Sequence, residues 1–317
     1  MKQFLSQRDV YQPINFVHKA LEYKRGGFSA APQLGLGKTL GLLFFNPSLR
    51  TRMSTQLAAA KLGLQTVVMN VGSEGWALEF GDDVVMNGQS VEHVKDAAAV
   101  MGRYCDILGI RCFPSLSNRD ADYSEQVMEQ FRKYAGVPIV SLESATLHPL
   151  QSLADIITME EYKTKAHPKV VLAWAPHIKA LPQAVPNSFA QWANVFTNQF
   201  TIACPPGYEL AKAFEPVLGY EYNLDKAIAD ADFIYVKNWS SFSDYGKNPP
   251  VEGDWLLNEH RLLSNPGARI MHCLPVRRGL ELSHDLLNGP RSLVLEQATN
   301  RITAAYAVLK EILEALK

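Results

Sequence analysis

Two apolar periods share this chain: short continuous apolar runs, and longer stretches in which an apolar residue returns every three or four positions. The runs at 39–45, 65–70, 106–110, 137–141, 168–174, 199–203, 219–222, 232–236, 269–273 and 292–295 read as strands. The stretches 93–104, 124–135, 149–161, 186–197 and 297–316 read as helices, and Thr55, Leu57, Ala60 and Leu62 predict another after Asn46-Pro47. Strands alternating with helices predict an α/β fold of parallel sheets with right-handed crossovers. For 317 residues, two domains are the natural division. The helix around 149–161, followed by Lys163-Thr164-Lys165-Ala166-His167-Pro168, marks the junction. The expected domains are 1–147 and 148–296, with a C-terminal helix 297–317 packing back on the first.

Composition removes several classes of function. A net charge of -1 with no basic run leaves nothing to attract nucleic acid. Cys105, Cys112, Cys204 and Cys273 form no CxxC pair and no metal-ligand spacing, which predicts a reduced, metal-free, cytoplasmic protein. The first ten residues contain no apolar signal core, and no apolar run approaches the ~20 residues a membrane helix needs. Gly35-Leu36-Gly37-Lys38-Thr39 resembles the tail of a nucleotide-binding P-loop. However, Pro32 stands at the required first glycine, and a strand follows where a helix is needed. Ala175-Pro176-His177-Ile178-Lys179, after the strand opening the second domain, lacks the glycines of a dinucleotide turn. No cofactor is expected.

The most informative chemistry lies in Ser48-Leu49-Arg50-Thr51-Arg52. A buried strand ends, Asn46-Pro47 breaks it, and a helix begins. Hydroxyls, a guanidinium and free backbone N–H groups therefore meet at a helix N-terminus, which suits a dianionic phosphate. Arg111 follows the strand ending near Ile110. His148, Gln151 and Asp155 share one helical face. Trp76 and Glu79 lie in the aperiodic segment 71–91, which reads as a lid.

These segments together resemble the aspartate/ornithine transcarbamylase family. The resemblance rests on Ser48-Leu49-Arg50-Thr51-Arg52, Gly109-Ile110-Arg111, His148-Pro149-Leu150-Gln151 and His272-Cys273-Leu274-Pro275, in that order along the chain. It implies two α/β domains and a homotrimer whose neighbours share active sites. It also implies that carbamoyl phosphate is bound by Ser48, Leu49, Arg50, Thr51, Trp76, Arg111, His148, Gln151 and Arg301. By the same resemblance, Arg111 bridges phosphate and carbonyl, Thr51 and His148 polarise the carbonyl oxygen, and Gln151 takes the carbamoyl NH2. Cys273 and the Leu274 carbonyl face the attacking amine, with a cis Leu274–Pro275 bond. Asp155 is expected to orient His148 or a nearby arginine. Cys273 has no histidine–acid pairing beyond adjacent His272, so positioning is favoured over covalent catalysis.

The acceptor amine is read from departures within the family. Lys237 stands where ornithine enzymes keep an aspartate for the α-ammonium, and their Ser-Met-Gly loop is absent from 240–246. A lysine there repels an ammonium but suits an α-nitrogen neutralised by acylation. Trp174-Ala175-Pro176-His177, the run Leu181 to Ser188, and Val276-Arg277-Arg278 resemble the acylornithine branch. Within it, the acetyl type carries an acid where Val91 stands, and an acid there would repel a succinyl carboxylate. Glu143, His177, Lys237, Cys273, Leu274, Arg277, Arg278, Val91 and Pro182 are thus the expected acylornithine-binding residues. His177, Lys179 and Arg278 are candidate partners for the extra carboxylate. Glu281 stands three residues past Arg278, where an acid can screen that charge, and its role is left open. The expected reaction is carbamoyl transfer to the δ-amine of N-succinylornithine in arginine biosynthesis. N-acetylornithine is the alternative acceptor, and a catalytically silent metabolite-binding homologue the distant one.

Overall fold

The computed structural model describes residues 1–29 and 31–316. It divides into two units. The first comprises Met1–Ser115, Asp120–Leu150 and the chain from Arg301 onward; the second comprises Leu116–Arg119 and Gln151–Asn300. Each is an α/β unit built on one parallel sheet.

In the first unit, β1 (Thr39–Phe44), β2 (Gln65–Asn70), β3 (Ile107–Arg111) and β4 (Ile139–Glu143) pair in the order β2-β1-β3-β4. The central strands are apolar almost throughout because helices cover both faces of a parallel sheet, leaving no wet side. Helices α1 (Pro13–Arg25), α2 (Arg50–Lys61), α3 (Val94–Tyr104) and α4 (Gln126–Tyr134) belong to this unit. Leu43, Val94, Ala98, Leu108, Ile110, Phe131 and Ile139 form part of one core cluster. A side chain such as Phe131, fully buried, contributes about 1.5–3 kcal/mol. Gly102 lets α3 approach the end of α4: a Cβ there would lie 1.7 Å from the Ala135 carbonyl oxygen.

Two sequence expectations change here. Helix α2 buries Thr51, Ser54, Thr55, Ala58 and Ala59, while Leu57 is exposed. Its inner face is therefore made of small residues, and the larger apolar ones point outward. The lid segment also has structure of its own. It holds a short helix, Val71–Glu74, and the two-residue strands Leu78–Glu79 and Glu92–His93 pair in parallel. The His93 ring reaches the Gly81 carbonyl at 2.8 Å, and the Gln126 amide donates to the Phe80 carbonyl at 3.0 Å.

In the second unit, β5 (Val170–Ala175), β6 (Phe200–Ala203), β7 (Tyr220–Glu221), β8 (Phe233–Asn238) and β9 (Arg269–Met271) pair in the order β9-β8-β5-β6-β7, again all parallel. Helix α5 (Pro149–Tyr162) leads the chain into this unit, α6 (Ala184–Phe196) follows β5, and α7 (Val294–Ala315) leads it out. Phe189 of α6 stacks on Tyr235 of β8, with ring centroids 4.4 Å apart. The run 292–295 is not a strand. Ser292 makes a single bridge to Ile270, and α7 starts at Val294, leaving Leu295 74% exposed. An apolar residue so exposed fits a helix's outer face, not a covered parallel strand. No helix among the described residues is long and apolar enough to cross a membrane.

Candidate active site

In an open parallel sheet, the carboxyl ends of the strands are where ligands bind. Within the first unit, β1 leads into Ser48–Arg52, β3 ends on Arg111, and β4 ends on Glu143 just before His148. Helix α2 begins at Arg50, and the preceding Leu49 carries no side-chain cap. The Ser48 hydroxyl is thus not spent as an ordinary helix cap, and Ser48, Leu49 and Arg50 are all at least partly accessible.

Thr51 is the focus of this unit. Its hydroxyl accepts from the Arg111 guanidinium at 3.4 Å and from the Arg301 guanidinium of α7. Arg111, Arg301 and Thr51 are all under 10% exposed. Two guanidiniums bracketing one hydroxyl at a helix N-terminus concentrate positive potential in a poorly solvated place. One counter-charge is present: Glu143 forms a close ion pair with Arg111, and the His148 ring nitrogen lies 3.5 Å from the same carboxylate oxygen. Glu143, expected from resemblance to hold the acylornithine, therefore belongs locally to the Arg111–His148 group.

On the lid, Trp76 is 55% exposed, and its indole N–H donates to Glu92 at 2.7 Å. Glu79 turns back on its own loop, accepting from the Phe80 and Gly81 N–H groups. Val91 is 66% exposed.

The second unit begins with Gln151. Its amide nitrogen donates to Asp155 at 2.7 Å, and Gln297 donates to the same carboxylate oxygen at 2.9 Å. Asp155 thus accepts from two amides at one carboxylate oxygen. The buried Tyr235 hydroxyl lies beside Asp155 and Cys273. Burial first, then those two acidic neighbours, holds its pKa well above the usual phenol value.

The turn after β9 is organised by a buried histidine–carboxylate pair. The His272 Nδ1 accepts from the Leu274 N–H at 2.9 Å, so Nε2 carries the proton and donates to Glu281 at 2.9 Å. Both ring nitrogens are engaged away from Cys273. His272 is therefore occupied with Glu281 and the Leu274 N–H rather than poised as a base for the thiol. Leu274 sits at φ 58°, a left-handed conformation costly for a leucine, and the Leu274–Pro275 bond is cis. Glu281 also accepts from the Arg277 N–H at 3.1 Å and lies 4.0 Å from the His177 ring. Burial pushes its carboxyl up, but His272, the charge of Lys237 and the Arg277 N–H together pull it below the ordinary glutamate range.

Glu281 is therefore the hub of this unit's polar cluster. Arg278, three residues before it, donates to Asn288 at 3.0 Å. Arg277 donates to His177 Nε2 at 3.1 Å, while His177 Nδ1 faces the Lys179 carbonyl. Lys237, 9% exposed at the end of β8, donates to Asn238. Pro182 stands just before α6, in a segment tied down by the Ser240 hydroxyl on the Leu181 carbonyl. Sequence reasoning missed the structural place of Glu281. Its signal was an acid four residues beyond Arg277, where one turn returns its carboxylate to the Arg277 N–H. No group of three or more metal-ligating side chains occurs among the described residues.

Comparison with known proteins agrees with this layout. Residues 2–161 match the carbamoyl-P binding domain of the aspartate/ornithine carbamoyltransferase family, and residues 182–312 match its Asp/Orn binding domain. The chain belongs to this family and is a carbamoyltransferase. It is 44% identical to an N-succinylornithine carbamoyltransferase of Bacteroides thetaiotaomicron over 319 aligned positions, covering 100% of each chain. It is 32% identical to an N-acetylornithine carbamoyltransferase of Xanthomonas axonopodis pv. citri, covering 86% of this chain and 85% of the relative. Among solved structures, an acetylornithine transcarbamylase complexed with acetylcitrulline superposes with a TM-score of 0.89 at 29% identity, covering 98% of this chain and 99% of the other. A glutamate-to-valine variant of an N-acetyl-L-ornithine transcarbamylase, complexed with carbamyl phosphate and N-succinyl-L-norvaline, gives a TM-score of 0.90 at 30% identity, covering 98% and 100%.

Proposed function

We propose that this protein transfers the carbamoyl group of carbamoyl phosphate to the δ-amine of N-succinyl-L-ornithine, yielding N-succinyl-L-citrulline and phosphate for arginine biosynthesis. The observation that carries the donor half is the Thr51 hydroxyl bracketed by Arg111 and Arg301 at the start of α2. Phosphate competes with Glu143 for Arg111 and collects Ser48, Arg50 and the backbone N–H groups of the first helical turn. Trp76 closes over it. Thr51, Arg111 and His148 then stabilise the oxyanion that develops as the amine attacks, which is where electrostatic help accelerates a reaction. Gln151 holds the carbamoyl NH2. The Leu274 carbonyl orients the amine, which must attack uncharged although a comparable free amine titrates near 10.4. The departing phosphate accepts the proton.

The acceptor half rests on charge. Lys237 and Arg277 supply cations, His177 lies with them, and Glu281 is already committed to its own partners. A substrate carrying carboxylates and no free α-ammonium matches that balance. Val91 supports the succinyl over the acetyl form because it adds no negative charge. The succinyl-ligand complexes of acetylornithine transcarbamylase variants lacking one glutamate support the same logic. Assembly as a homotrimer is supported by Leu49, Met53 and Leu57, an exposed apolar stripe along α2, with exposed Val67 on β2.

The test is turnover with carbamoyl phosphate and, separately, ornithine, N-acetylornithine and N-succinylornithine, read as citrulline formation. Preference for N-succinylornithine is expected. Preference for N-acetylornithine replaces the acceptor assignment, and no turnover with any amine leaves the silent homologue.

A further inference from the structure

Residues 144–147 deliver His148 to its place beside Glu143, yet the group that holds them lies outside every segment so far given a role. Glu125 precedes α4 with φ 55°, a left-handed backbone that glutamate rarely adopts. From there its carboxylate reaches the turn before His148. One oxygen accepts from the Ser144 hydroxyl at 2.5 Å, the Thr146 N–H at 2.8 Å and the Thr146 hydroxyl; the other accepts from the Ala145 N–H at 3.3 Å. The turn closes on itself, with Ser144 N–H on the Leu147 carbonyl at 2.7 Å and Leu147 N–H on the Ser144 hydroxyl at 3.0 Å. Ser144 and Thr146 are 2% and 5% exposed, so water is a poor substitute for Glu125.

We infer that Glu125 is a positioning residue for carbamoyl transfer, acting on His148 through the 144–147 turn. This rests on the reading of His148 as an oxyanion donor. Burial raises the Glu125 carboxyl above the ordinary glutamate value despite these donors, as expected of a carboxylate kept for its geometry at some cost. A small error in the setting of one donor is enough to slow a reaction by about a hundredfold.

The experiment compares Glu125→Ala, Glu125→Gln and Thr146→Val with wild type, with thermal unfolding to confirm the fold. Glu125→Ala should lower kcat by roughly 10–100-fold and change KM for carbamoyl phosphate less than about threefold. Glu125→Gln, which keeps one acceptor oxygen for Ser144 and Thr146, should recover most of the rate. In ¹⁵N-histidine-labelled protein, ring signals absent from His148→Ala identify His148. They should move in Glu125→Ala and return in Glu125→Gln. Wild-type kcat in folded Glu125→Ala, a loss confined to KM, or unmoved His148 signals overturns the inference. If Glu125→Ala does not fold, Thr146→Val decides, with a loss of about 3–10-fold expected and none overturning it. If the wild type turns over no amine, the functional reading fails, while the His148 signals still judge the positioning role.

Discussion

The two units build their candidate sites in different ways. The first takes most of its site from one stretch, Ser48 to Thr51, where a strand end and a helix start present backbone N–H groups that no substitution removes. Two guanidiniums then close on one hydroxyl. The second assembles His177, Lys237, His272, Arg277 and Glu281 from the ends of β5, β8 and β9, and these side chains hold one another. A site of backbone and helix dipole suits an invariant ligand such as phosphate. A site of interlocked charges can be retuned by exchanging one charge, which suits a family that differs in its acceptor amine.

The largest expected effect tests the intolerance of the phosphate half. Arg50→Ala should depress carbamoyl-phosphate use, and His148→Ala should depress kcat, each by about 10²–10³-fold, the scale of one lost oxyanion donor at roughly 2–4 kcal/mol. Near-normal kinetics in folded Arg50→Ala protein would remove Ser48–Thr51 from the site. Next comes the claim that the acceptor half answers to charge. Val91→Glu should weaken N-succinylornithine use and favour N-acetylornithine. A like-charge pair at ~4 Å costs about 1 kcal/mol in water and about 4 at an effective dielectric of 20, so a shift of roughly one to three decades is expected. Steady-state competition between the two amines measures it, and an unchanged ratio dissociates Val91 from specificity.

Glu281→Ala tests the hub. It leaves the buried His272 ring N–H without its acceptor, so a loss of about 1–3 kcal/mol is expected by urea unfolding. KM should rise for the acylornithine and stay level for carbamoyl phosphate. Because the folded-state pKa of Glu281 lies below the ordinary glutamate value of about 4.5, its contribution is complete above that pH and is lost as pH falls through the depressed folded value. The stability gap between wild type and Glu281→Ala should therefore narrow below about pH 4.5. A gap that widens on acidification would contradict the assigned partners. The smallest signal is expected from mixing inactive Trp76→Ala and His148→Ala subunits. If the exposed lid serves a neighbour, some mixed sites escape both lesions and partial activity returns; mixed trimers without activity place the lid over its own subunit.

Apolar runs located β1 to β9 within two residues at each end, because a covered parallel strand must be apolar whatever lies above it, whereas the two-residue lid strands Leu78–Glu79 and Glu92–His93 matched no run. Ser48–Thr51 was legible for a related reason: strand, breaker, hydroxyl and arginine are neighbours along the chain, and their joint chemistry needs no distant partner. The inward face of α2 was not legible. Periodicity marks large apolar residues, whereas here Thr51, Ser54, Thr55, Ala58 and Ala59 are packed inside and Leu57 stays out. The run 292–295 likewise has strand-like composition but pairs through one residue only.

By itself, then, the sequence determined the alternation of strands and helices and the strand–breaker–helix loop at Ser48–Arg52. Tertiary structure alone decided which groups answer one another. Arg301 meets Thr51 across 250 positions, Gln297 meets Asp155 across 142, and Glu125 meets Thr146 across 21. Glu281 became a hub because folding brought its carboxylate to His272 and to the Arg277 N–H. A side chain's chemical type is written at its own position. Its hydrogen-bond partner is chosen by the packing that brings two distant positions within about 3 Å.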